Sequence, residues 1–536
     1  MMLNFRRLLR DPGLWVLVFG LAWYVQLNFQ HRIESFSSFS SVFSSFASKN
    51  TLVGIANRGA IEDSPWKRGA DLVHERRAHR SSLLKDGRIL VSGGLVGIGN
   101  VVQPTRYLAS SEIYDPEKKQ WRQVSNLFSR FRHTSTALPS GEVILIGGQS
   151  DQESLSSTEI FDPSLNEFRL GPSLTKPRRL HTATLLSNGN ILVAGGYSGN
   201  AASTAYLYPY GPQQLLECEE FDPLGLKKNI SSSMHTPREL HTATRLADGR
   251  VLVTGGIWGE DTLNTCEIYD PQSRTWTSTE PMTLPRTRHV ATLLPDGRVL
   301  VIGGSVGKAI EQVDRQATVN VYSSCEIYDP ATGRWTLTDS MHWPRTSFMD
   351  VVLLPNHKVL VAGGYGASNY ESNYSWELYD IASGTWDTYG TWAEPIHAHR
   401  LMFIPQYNQV LQIGGLSKGQ SVNSTRILDL SQNLFEDRPA IQFATIPIGP
   451  TGRGPLTQVQ ITANFKEGSA VLWPHGVPIQ SGQMSTVMID RKTSFIFELT
   501  KHHLVVVHKF KVQPRPGGQQ KERRTNQTLK PNSRSR

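Results

Sequence analysis

Cysteine is scarce in this chain: only three of its 536 residues are Cys. Each stands directly before a Glu, at one recurring position of a repeated segment: Cys218, Cys266 and Cys325. Equivalent positions of successive repeats lie further apart than the roughly 7 Å that the Cα atoms of a disulfide can span. The spacing therefore argues against disulfides, and we expect three small packing residues with free thiols.

An excess of charge is nearly absent outside the C-terminal end. The formal net charge is +9, but residues 511–536 alone hold eight Lys or Arg and one acid. The rest is close to neutral, so the basic patch of a nucleic-acid-binding protein is not expected and no nucleic acid partner is predicted. The tail, residues 511–536, is predicted to be disordered, with contact to anionic lipid or polymer as the alternative.

One long stretch without charges lies near the N-terminus, from Gly13 to Phe29, after three Arg residues at positions 6, 7 and 10. We expect residues 1–30 to be an uncleaved signal anchor with a transmembrane helix; a cleaved signal peptide is the alternative. The basic flank stays in the cytoplasm, so the remainder is expected on the non-cytoplasmic side, periplasmic or extracellular. Residues 31–59 would then form a Ser- and Phe-rich stalk.

What the chain has in abundance is the pair Gly-Gly, which begins at positions 93, 147, 195, 255, 303, 363 and 414. Self-similarity at about 50 residues indicates a repeat architecture. Each pair ends an apolar run such as that of residues 298–302, and an Asp-Gly or Asn-Gly turn usually precedes that run. Such a turn between apolar segments is a strong hairpin signal.

A third and a fourth strand follow each Gly pair. The third has the pattern Glu-Ile-Tyr-Asp-Pro, as at residues 267–271, and the fourth usually carries a Trp, as at Trp276. This set resembles the kelch repeat over about residues 66–435. The resemblance implies an all-β propeller with one four-stranded blade per repeat, so we predict seven blades over residues 60–440. The pattern is weaker in the third repeat, which lacks the Trp, and in the seventh, where residues 426–430 replace the usual third strand.

Ring closure is predicted from Trp66, which precedes His79 by the same interval as Trp276 precedes His289. We therefore expect the chain to enter on a fourth strand that completes the last blade and removes the open sheet edge. Residues 441–510 contain further strand-like runs. They are predicted to be a small C-terminal β extension, with a degenerate eighth blade as the alternative.

A second motif, Arg-x-x-His, occurs at the start of the first five repeats, for example Arg76 with His79. Two interpretations stay open: hydrogen bonding within or between blades, including bonds to the third-strand Glu residues, or a ring of positive charge around the channel mouth. The sixth repeat has Thr346 and Met349 at these places, and the seventh has the inverted order His397-x-x-Arg400. Broken repeat rules tend to mark function or strain.

The loops after the Gly pairs are expected on the same face as this motif, and those of repeats one, three and five are long. Insertions on one face of a repeat array usually mark its binding face. Aromatic rings beside polar residues in these loops suit a sugar or a peptide, although each ring could also pack the loop onto the propeller. The candidate ligand-binding residues are Tyr206, Tyr208, Tyr210, Trp258, Arg345, Tyr370, Tyr374, His397 and Arg400.

We predict a membrane-tethered binding module that holds a protein or a glycan at the cell envelope. The alternative is a carbohydrate-active enzyme, an oxidase, epimerase or lyase, on the same scaffold. Propellers similar to galactose oxidase bind copper through an adjacent Tyr-His pair, and none of the 16 Tyr here is followed by His. No catalytic residue, metal or other cofactor is predicted, and the sequence does not indicate an oligomeric state.

Overall fold

The computed structural model describes residues 65–97, 106–151, 153–199, 214–225, 230–307, 320–366, 373, 375–392 and 394–431, and the backbone of seven strands between 440 and 512. The predicted signal anchor, stalk and most of the basic tail lie outside these residues. Within the described part, no helix has the length and hydropathy needed to cross a membrane.

Seven antiparallel blades of four strands each, numbered here 1 to 7, follow one another along the chain; six are separate four-stranded sheets, and blade 6 is part of an eight-stranded sheet. The strands of the first five blades have these bounds: blade 1, Arg80–Leu83, Ile89–Ser92, Ser110–Asp115 and Gln120–Ser125; blade 2, Thr134–Ala137, Val143–Ile146, Thr158–Asp162 and Glu167–Leu170; blade 3, Thr182–Leu185, Ile191–Ala194, Glu217–Phe221 and Ile230–Ser233; blade 4, Thr242–Arg245, Val251–Thr254, Cys266–Asp270 and Thr275–Thr279; blade 5, Val290–Leu293, Val299–Ile302, Cys325–Asp329 and Arg334–Leu337.

Blades 6 and 7 complete the ring. Their strands are Thr346–Leu354, Lys358–Tyr365, Ser375–Asp380 and Thr385–Thr391 in blade 6, and Arg400–Ile404, Gln409–Ser417, Gln420–Asp429 and the N-terminal Trp66–Arg68 in blade 7. A short 3-10 helix, Pro405–Tyr407, joins the first two strands of blade 7. Short two-stranded ribbons follow three of the Gly pairs: Leu95–Val96 with Arg106–Tyr107, Ile257–Trp258 with Asp261–Thr262, and Ser305–Val306 with Asn320–Val321.

The closure occurs as predicted. Trp66 pairs with Leu428 and Arg68 with Arg426, so the strand that enters the ring supplies the outer strand of blade 7. The first strands of neighbouring blades contact one another in order, and that of blade 7 contacts that of blade 1. The prediction of a seven-bladed all-β propeller is confirmed, and the third blade forms although it lacks the fourth-strand Trp.

The hydrophobic core lies between blades. The second strands are buried along their whole length, since continuous Val, Leu and Ile runs meet a neighbouring sheet on each face. One cluster combines Leu252 and Cys266 of blade 4 with Val299 and Tyr328 of blade 5. Tyr328 in turn packs on Trp335, with ring centroids 5.0 Å apart. The three Cys are buried and free, as predicted, and burial raises the pKa of each thiol to about 12.

The first glycine of each pair permits close approach between blades. Gly303 has a φ of +60°, and a Cβ there would lie 2.5 Å from the carbonyl oxygen of Arg345 in the next blade. Any other residue would meet both an unfavourable backbone conformation and a backbone clash. The recurring pair therefore sets the distance between neighbouring blades.

The C-terminal strands extend one blade and do not form an eighth. Leu504–Val512 pairs with the outer strand of blade 6, and Thr493–Lys501, Ser469–Trp473 and Val477–Ile479 continue that sheet. Ala440–Thr451, Gly454–Asn464 and Met484–Ile489 form a separate sheet. In chain order the two sheets run 1-2-5 and 7-6-3-4, a strand order found in immunoglobulin-like sandwiches. The β extension is confirmed, and it includes residues 511 and 512, which the sequence placed in the disordered tail.

Candidate functional site

The Arg residues of the Arg-x-x-His motif are buried inside the blades. Each forms an ion pair with a buried third-strand Glu, at N–O distances between 2.6 and 3.0 Å: Arg76 with Glu112, Arg130 with Glu159, Arg178 with Glu219, Arg238 with Glu267, and Arg286 with Glu326. In blade 6, which lacks the motif, Arg345 and not Thr346 takes the Arg place and pairs with Glu377 at 2.7 Å. This confirms the interpretation in which the motif bonds to the third-strand Glu. These Arg side chains do not form the ring of charge at the channel mouth.

Arg345 therefore does not have the location expected of a ligand-binding residue. Its guanidinium pairs with Glu377 and donates to the carbonyl oxygens of Gly363 and Ser375, and its side chain is fully buried. Burial raises the pKa of Glu377, but Arg345 and His342 outweigh that effect and hold it at about 2. The prediction that Arg345 binds a ligand failed because a buried guanidinium needs a buried counter-charge, and the third-strand Glu377 supplies it inside the blade.

The His residues of the motif connect neighbouring blades. The Nε2 atom of each lies within hydrogen-bond distance, 3.0 to 3.2 Å, of a hydroxyl of the preceding blade: His133 of Ser92, His181 of Thr134, His241 of Thr182, and His289 of Thr242 and Thr254. Burial, with the nearby Arg, lowers the pKa of His241 and of His289 to about 3, so the imidazoles are neutral. The pattern stops at the interfaces between blades 5, 6, 7 and 1, which we call the seam.

In the seam the expected repeat positions shift. Met349 replaces the His in blade 6, as predicted. In blade 7 the hairpin is one residue longer, since Arg400 pairs with Ile413 whereas Arg80 pairs with Ser92 in blade 1. His399 therefore occupies the His position, and Arg400 corresponds to Arg80. From the sequence, a fixed distance of 14 residues before the Gly pair was assumed, which placed Arg400 at the His position. With the longer hairpin, His399 has the His role and the order of the motif is not inverted.

A ring of left-handed residues forms the channel mouth. In every blade the residue directly before the His position has a φ between 51° and 58°: Ala78, Arg132, Leu180, Leu240, Arg288, Phe348 and Ala398. Several donate their backbone N–H to the carbonyl of the corresponding residue in the preceding blade, as Ala398 does to Phe348 at 3.1 Å. The Gly-pair loops lie on the same face, as predicted, because the residue after each pair bridges to this segment.

One side of the mouth is aromatic. Blade 6 has an extra residue here, so both Ser347 and Phe348 have positive φ values, 41° and 58°. The Phe348 ring lies 6.1 Å from that of Tyr365 and 6.2 Å from that of His397, and Tyr365 lies 4.4 Å from His397. Burial, together with Arg77, lowers the pKa of His397 to about 3. The structure therefore places the candidate His397 in an aromatic wall.

The opposite side of the mouth, on blades 2 to 5, is charged. Arg132, Arg179 and Arg288 surround the buried carboxyl of Glu239; burial raises the pKa of that carboxyl, and the three guanidiniums oppose the rise. Arg179 also lies over the Tyr197 ring, 4.6 Å from its centroid. Among the described residues, three guanidiniums thus act on one carboxyl in this wall, and none of the three belongs to the Arg position of the Arg-x-x-His motif.

The central channel contains a cavity of about 560 Å³ that is lined by the first strands of the blades and, at its open end, by the left-handed residues of the mouth. Arg80, Asp350 and Arg400 line it on the seam side, whereas small residues such as Ala183 and Ala243 line the other side. Arg400 donates from Nε to the carbonyl of His79 at 3.0 Å and from Nη1 to Asp350 at 3.4 Å. The candidate Arg400 thus faces the channel and connects blades 1, 6 and 7.

The remaining candidates lie in the loops. Trp258 is 51% exposed on the ribbon after the fourth Gly pair. The aromatic residues of the long loops lie outside the described residues: Tyr206, Tyr208, Tyr210, Tyr370 and Tyr374. Over the part of the chain with described side chains, no three His, Cys, Asp or Glu residues are grouped to hold a metal ion.

Sequence reasoning missed the mouth residues Arg132, Arg179, Glu239, Arg288 and Phe348. The variable positions inside Arg-x-x-His are the signal that would have found them.

The fold and this mouth define a closed propeller whose axial channel opens between a charged and an aromatic wall. Comparison with known proteins agrees with that class: the kelch motif family model matches residues 76–127, 130–175 and 242–283. The chain thus contains kelch motifs within a seven-bladed β-propeller. It is 31% identical over 125 residues to beta-scruin and to alpha-scruin of Limulus polyphemus. That match covers 22% of this chain and only 13% of each relative.

A solved structure described as that of YjhT matches 58% of this chain and 97% of its own, with 12% sequence identity and a TM-score of 0.44. A likeness at this level says nothing of function.

Proposed function

We propose that this protein is a membrane-tethered binding module that holds an acidic segment of a protein partner at the channel mouth. One observation carries the proposal: the mouth sets a cationic wall, Arg132, Arg179 and Arg288, against an aromatic wall, Phe348, Tyr365 and His397. Charge-assisted bonds to carboxylates and contacts with aromatic rings are both common at protein-binding surfaces. Kelch propellers commonly act as protein-binding modules, which favours a protein over a glycan as the partner.

Two features of the mouth support binding over a purely structural role. All seven blades have a left-handed residue at the Phe348 position, but blade 6 adds a second one, Ser347, at a cost on the order of 1 kcal/mol or more, and such strain concentrates at functional sites. In addition, the two Arg residues of the left-handed ring, Arg132 and Arg288, occupy positions that other blades fill with Ala, Leu or Phe.

The location is part of the proposal. The charge-free stretch from Gly13 to Phe29, after three Arg residues, supports a single-pass anchor with the propeller on the non-cytoplasmic side. A reporter fused after residue 60 should be active only outside the cytoplasm, and the full chain should need detergent for extraction. Release by high salt alone would contradict the anchor.

Binding at the mouth is tested with defined polymers. Purified protein is immobilised, and its binding to poly-L-glutamate, polygalacturonate, polylysine and neutral dextran is measured by biolayer interferometry. We expect poly-L-glutamate to bind, with an affinity that falls as salt rises. Arg132→Gln together with Arg288→Gln should weaken it about tenfold or more. Arg250→Gln, which removes an exposed Arg paired with Asp248, is the matched control.

Stronger binding of polygalacturonate than of poly-L-glutamate would instead favour the glycan as the partner. Equal binding of polylysine, or no effect of the double substitution, would refute the proposed site.

A further inference from the structure

Two histidines of the seam differ from all others in the ring. His399 and His79 are 2% and 0% exposed, yet neither Nδ1 nor Nε2 of either ring has a hydrogen-bond partner among the described residues. At the His positions of blades 2 to 5, in contrast, Nε2 meets a hydroxyl. Buried polar atoms are rarely left unsatisfied, so the four ring nitrogens need an explanation.

The register shows what has replaced the hydroxyls. In blades 2, 3 and 4 the hydroxyl comes from the residue after the His position, which lines the channel: Thr134, Thr182 and Thr242. In blades 6 and 7 that residue is Asp350 or Arg400. The residue before the Gly pair, which supplies Ser92 or Thr254 elsewhere, is Ala362 or Ile413 here. No residue at these positions can therefore bond to His399 or His79 as a hydroxyl does.

The charged residues of the seam are engaged elsewhere. Arg400 donates to the His79 carbonyl and to Asp350, and Asp350 also accepts the backbone N–H of Leu401 at 2.8 Å. Arg80, after His79, donates from Nε to the His133 carbonyl at 2.8 Å. Two guanidiniums and one carboxylate face the same part of the channel, which leaves a net positive charge. Burial and the neighbouring Arg400 lower the pKa of Arg80 to about 9, which still keeps it charged at neutral pH.

We propose that this seam cluster, Arg80, Asp350, His399 and Arg400, binds a small oxyanion that carries hydroxyl groups, such as a sugar acid or a sugar phosphate. The guanidiniums bind the carboxylate or phosphate. The neutral imidazole of His399, with one donor and one acceptor, bonds to a ligand hydroxyl in place of the Ser and Thr of the other blades. His79 does not line the cavity and takes no direct part. A cavity of about 560 Å³ holds a monosaccharide. The site needs no macromolecular partner, so it goes beyond the function proposed for the mouth.

The probes are glucuronate, glucose 6-phosphate, glucose, acetate and inorganic phosphate, each titrated by calorimetry into the full-length protein in detergent. We expect glucuronate or glucose 6-phosphate to bind, and at least about tenfold weaker binding of glucose, which lacks the charge, and of acetate and phosphate, which lack the hydroxyl array. Which of the two sugar anions binds decides between carboxylate and phosphate. No binding of either sugar anion, or equal binding of glucose, would overturn the proposal.

Variants separate this site from the mouth. His399→Leu removes ring nitrogens that have no partner, so folding should be preserved while the affinity falls about tenfold. Arg245→Gln, at an exposed Arg of the first strand of blade 4, is the control and should not change the affinity. Arg179→Gln, at a mouth residue that does not line the cavity, should weaken poly-L-glutamate binding and spare the sugar anion, so the failure of one proposal is distinguishable from that of the other.

A measurement on the unchanged protein follows the imidazole directly. With ¹⁵N-labelled histidine, addition of the bound sugar anion should shift the ring-nitrogen signals of His399, assigned by their loss in His399→Leu. Unchanged affinity in His399→Leu, or unchanged ring-nitrogen signals at saturating ligand, would show that His399 takes no part.

Discussion

Blades 1 to 5 and the seam are held together by different means. In the first region each interface repeats one small polar contact, an imidazole against a hydroxyl, as between His241 and Thr182. In the seam that contact is gone, and a cluster of tryptophans takes its place. Trp66 makes edge-to-face contacts with Trp376 and Trp392, at centroid distances of 6.3 and 5.7 Å.

The comparison shows that blades of the same repeat can pack on one another through two kinds of interface, one with a buried polar contact and one with aromatic packing. Aromatic packing supplies the seam with cohesion that does not depend on hydrogen bonds. This frees the channel-facing positions of blades 1, 6 and 7 for charged residues, Arg80, Asp350 and Arg400. The functional asymmetry of the channel thus follows from a structural asymmetry between interfaces.

The largest effect is expected where the two regions do not differ, at the first glycine of each pair. In Gly195→Val the new Cβ would lie 2.4 Å from the carbonyl oxygen of Arg238 in the next blade. In Gly303→Val it would lie 2.5 Å from that of Arg345. Both should destabilise the propeller by several kcal/mol, about 4 or more, measured by chemical denaturation. A large loss of stability in one variant and none in the other would show that the first glycine does not set the distance between blades in the same way at both interfaces.

Trp66→Ala tests the seam alone. Loss of a buried Trp should cost about 3–5 kcal/mol. The third strand of blade 7, Gln420–Asp429, should also exchange its amide hydrogens faster, because the outer strand that contains Trp66 pairs with it. Trp276→Ala, at a Trp in the regular region, should destabilise the protein without raising exchange in blade 7. Equal exchange in the two variants would remove the special role of the seam.

The residues in these two predictions are also those from which the fold was predicted correctly. The Gly pairs, the Asp-Gly turns and Trp66 predicted the blades, their number and the closure, because close backbone approach and tight turns demand particular residues. The prediction that Arg-x-x-His bonds to the third-strand Glu was confirmed for the same reason, since a buried Arg requires a counter-charge.

The site was less accessible to sequence reasoning. Which first-strand residues face the channel depends on strand register, and a single extra residue in the blade 7 hairpin moved His399 onto the position assigned to Arg400. The electrostatic effect of three Arg from different blades on Glu239 depends on ring geometry that no local pattern encodes. Only the aromatic and basic character of the mouth was predicted, through His397 and Arg400.

A smaller effect is expected from the regular interfaces. Thr182→Val leaves the His241 imidazole without its hydroxyl partner and should cost about 1–3 kcal/mol in unfolding free energy. His399→Leu, its counterpart in the seam, breaks no hydrogen bond and should be neutral or slightly stabilising. A large loss of stability in His399→Leu would mean that the seam contains a polar contact after all.

The smallest expected effect per residue is the loss of folding stability that each buried His causes when the pH falls. The pKa values of His241, His289 and His397 are lowered to about 3, whereas an unfolded His has its ordinary pKa near 6.5. The unfolded chain therefore binds more protons below pH 6.5, and stability is present above that pH and lost as pH falls toward 3. Each His should cost about 1 kcal/mol by pH 5.5. A melting temperature that stays constant from pH 7 to 5 would contradict neutral buried imidazoles.

The closing strand has a consequence for how the protein is made. Trp66–Arg68 leaves the ribosome before any blade, but its pairing partners around Leu428 follow about 360 residues later. At a synthesis rate of roughly 5–20 residues per second, the strand waits on the order of 20–70 s while blades 1 to 6 assemble. Its edge remains open to other chains during that interval, and a contact of such long sequence separation forms slowly. The step that closes the ring is therefore the last in the assembly of the blades, and a chaperone that binds the open edge would act before it.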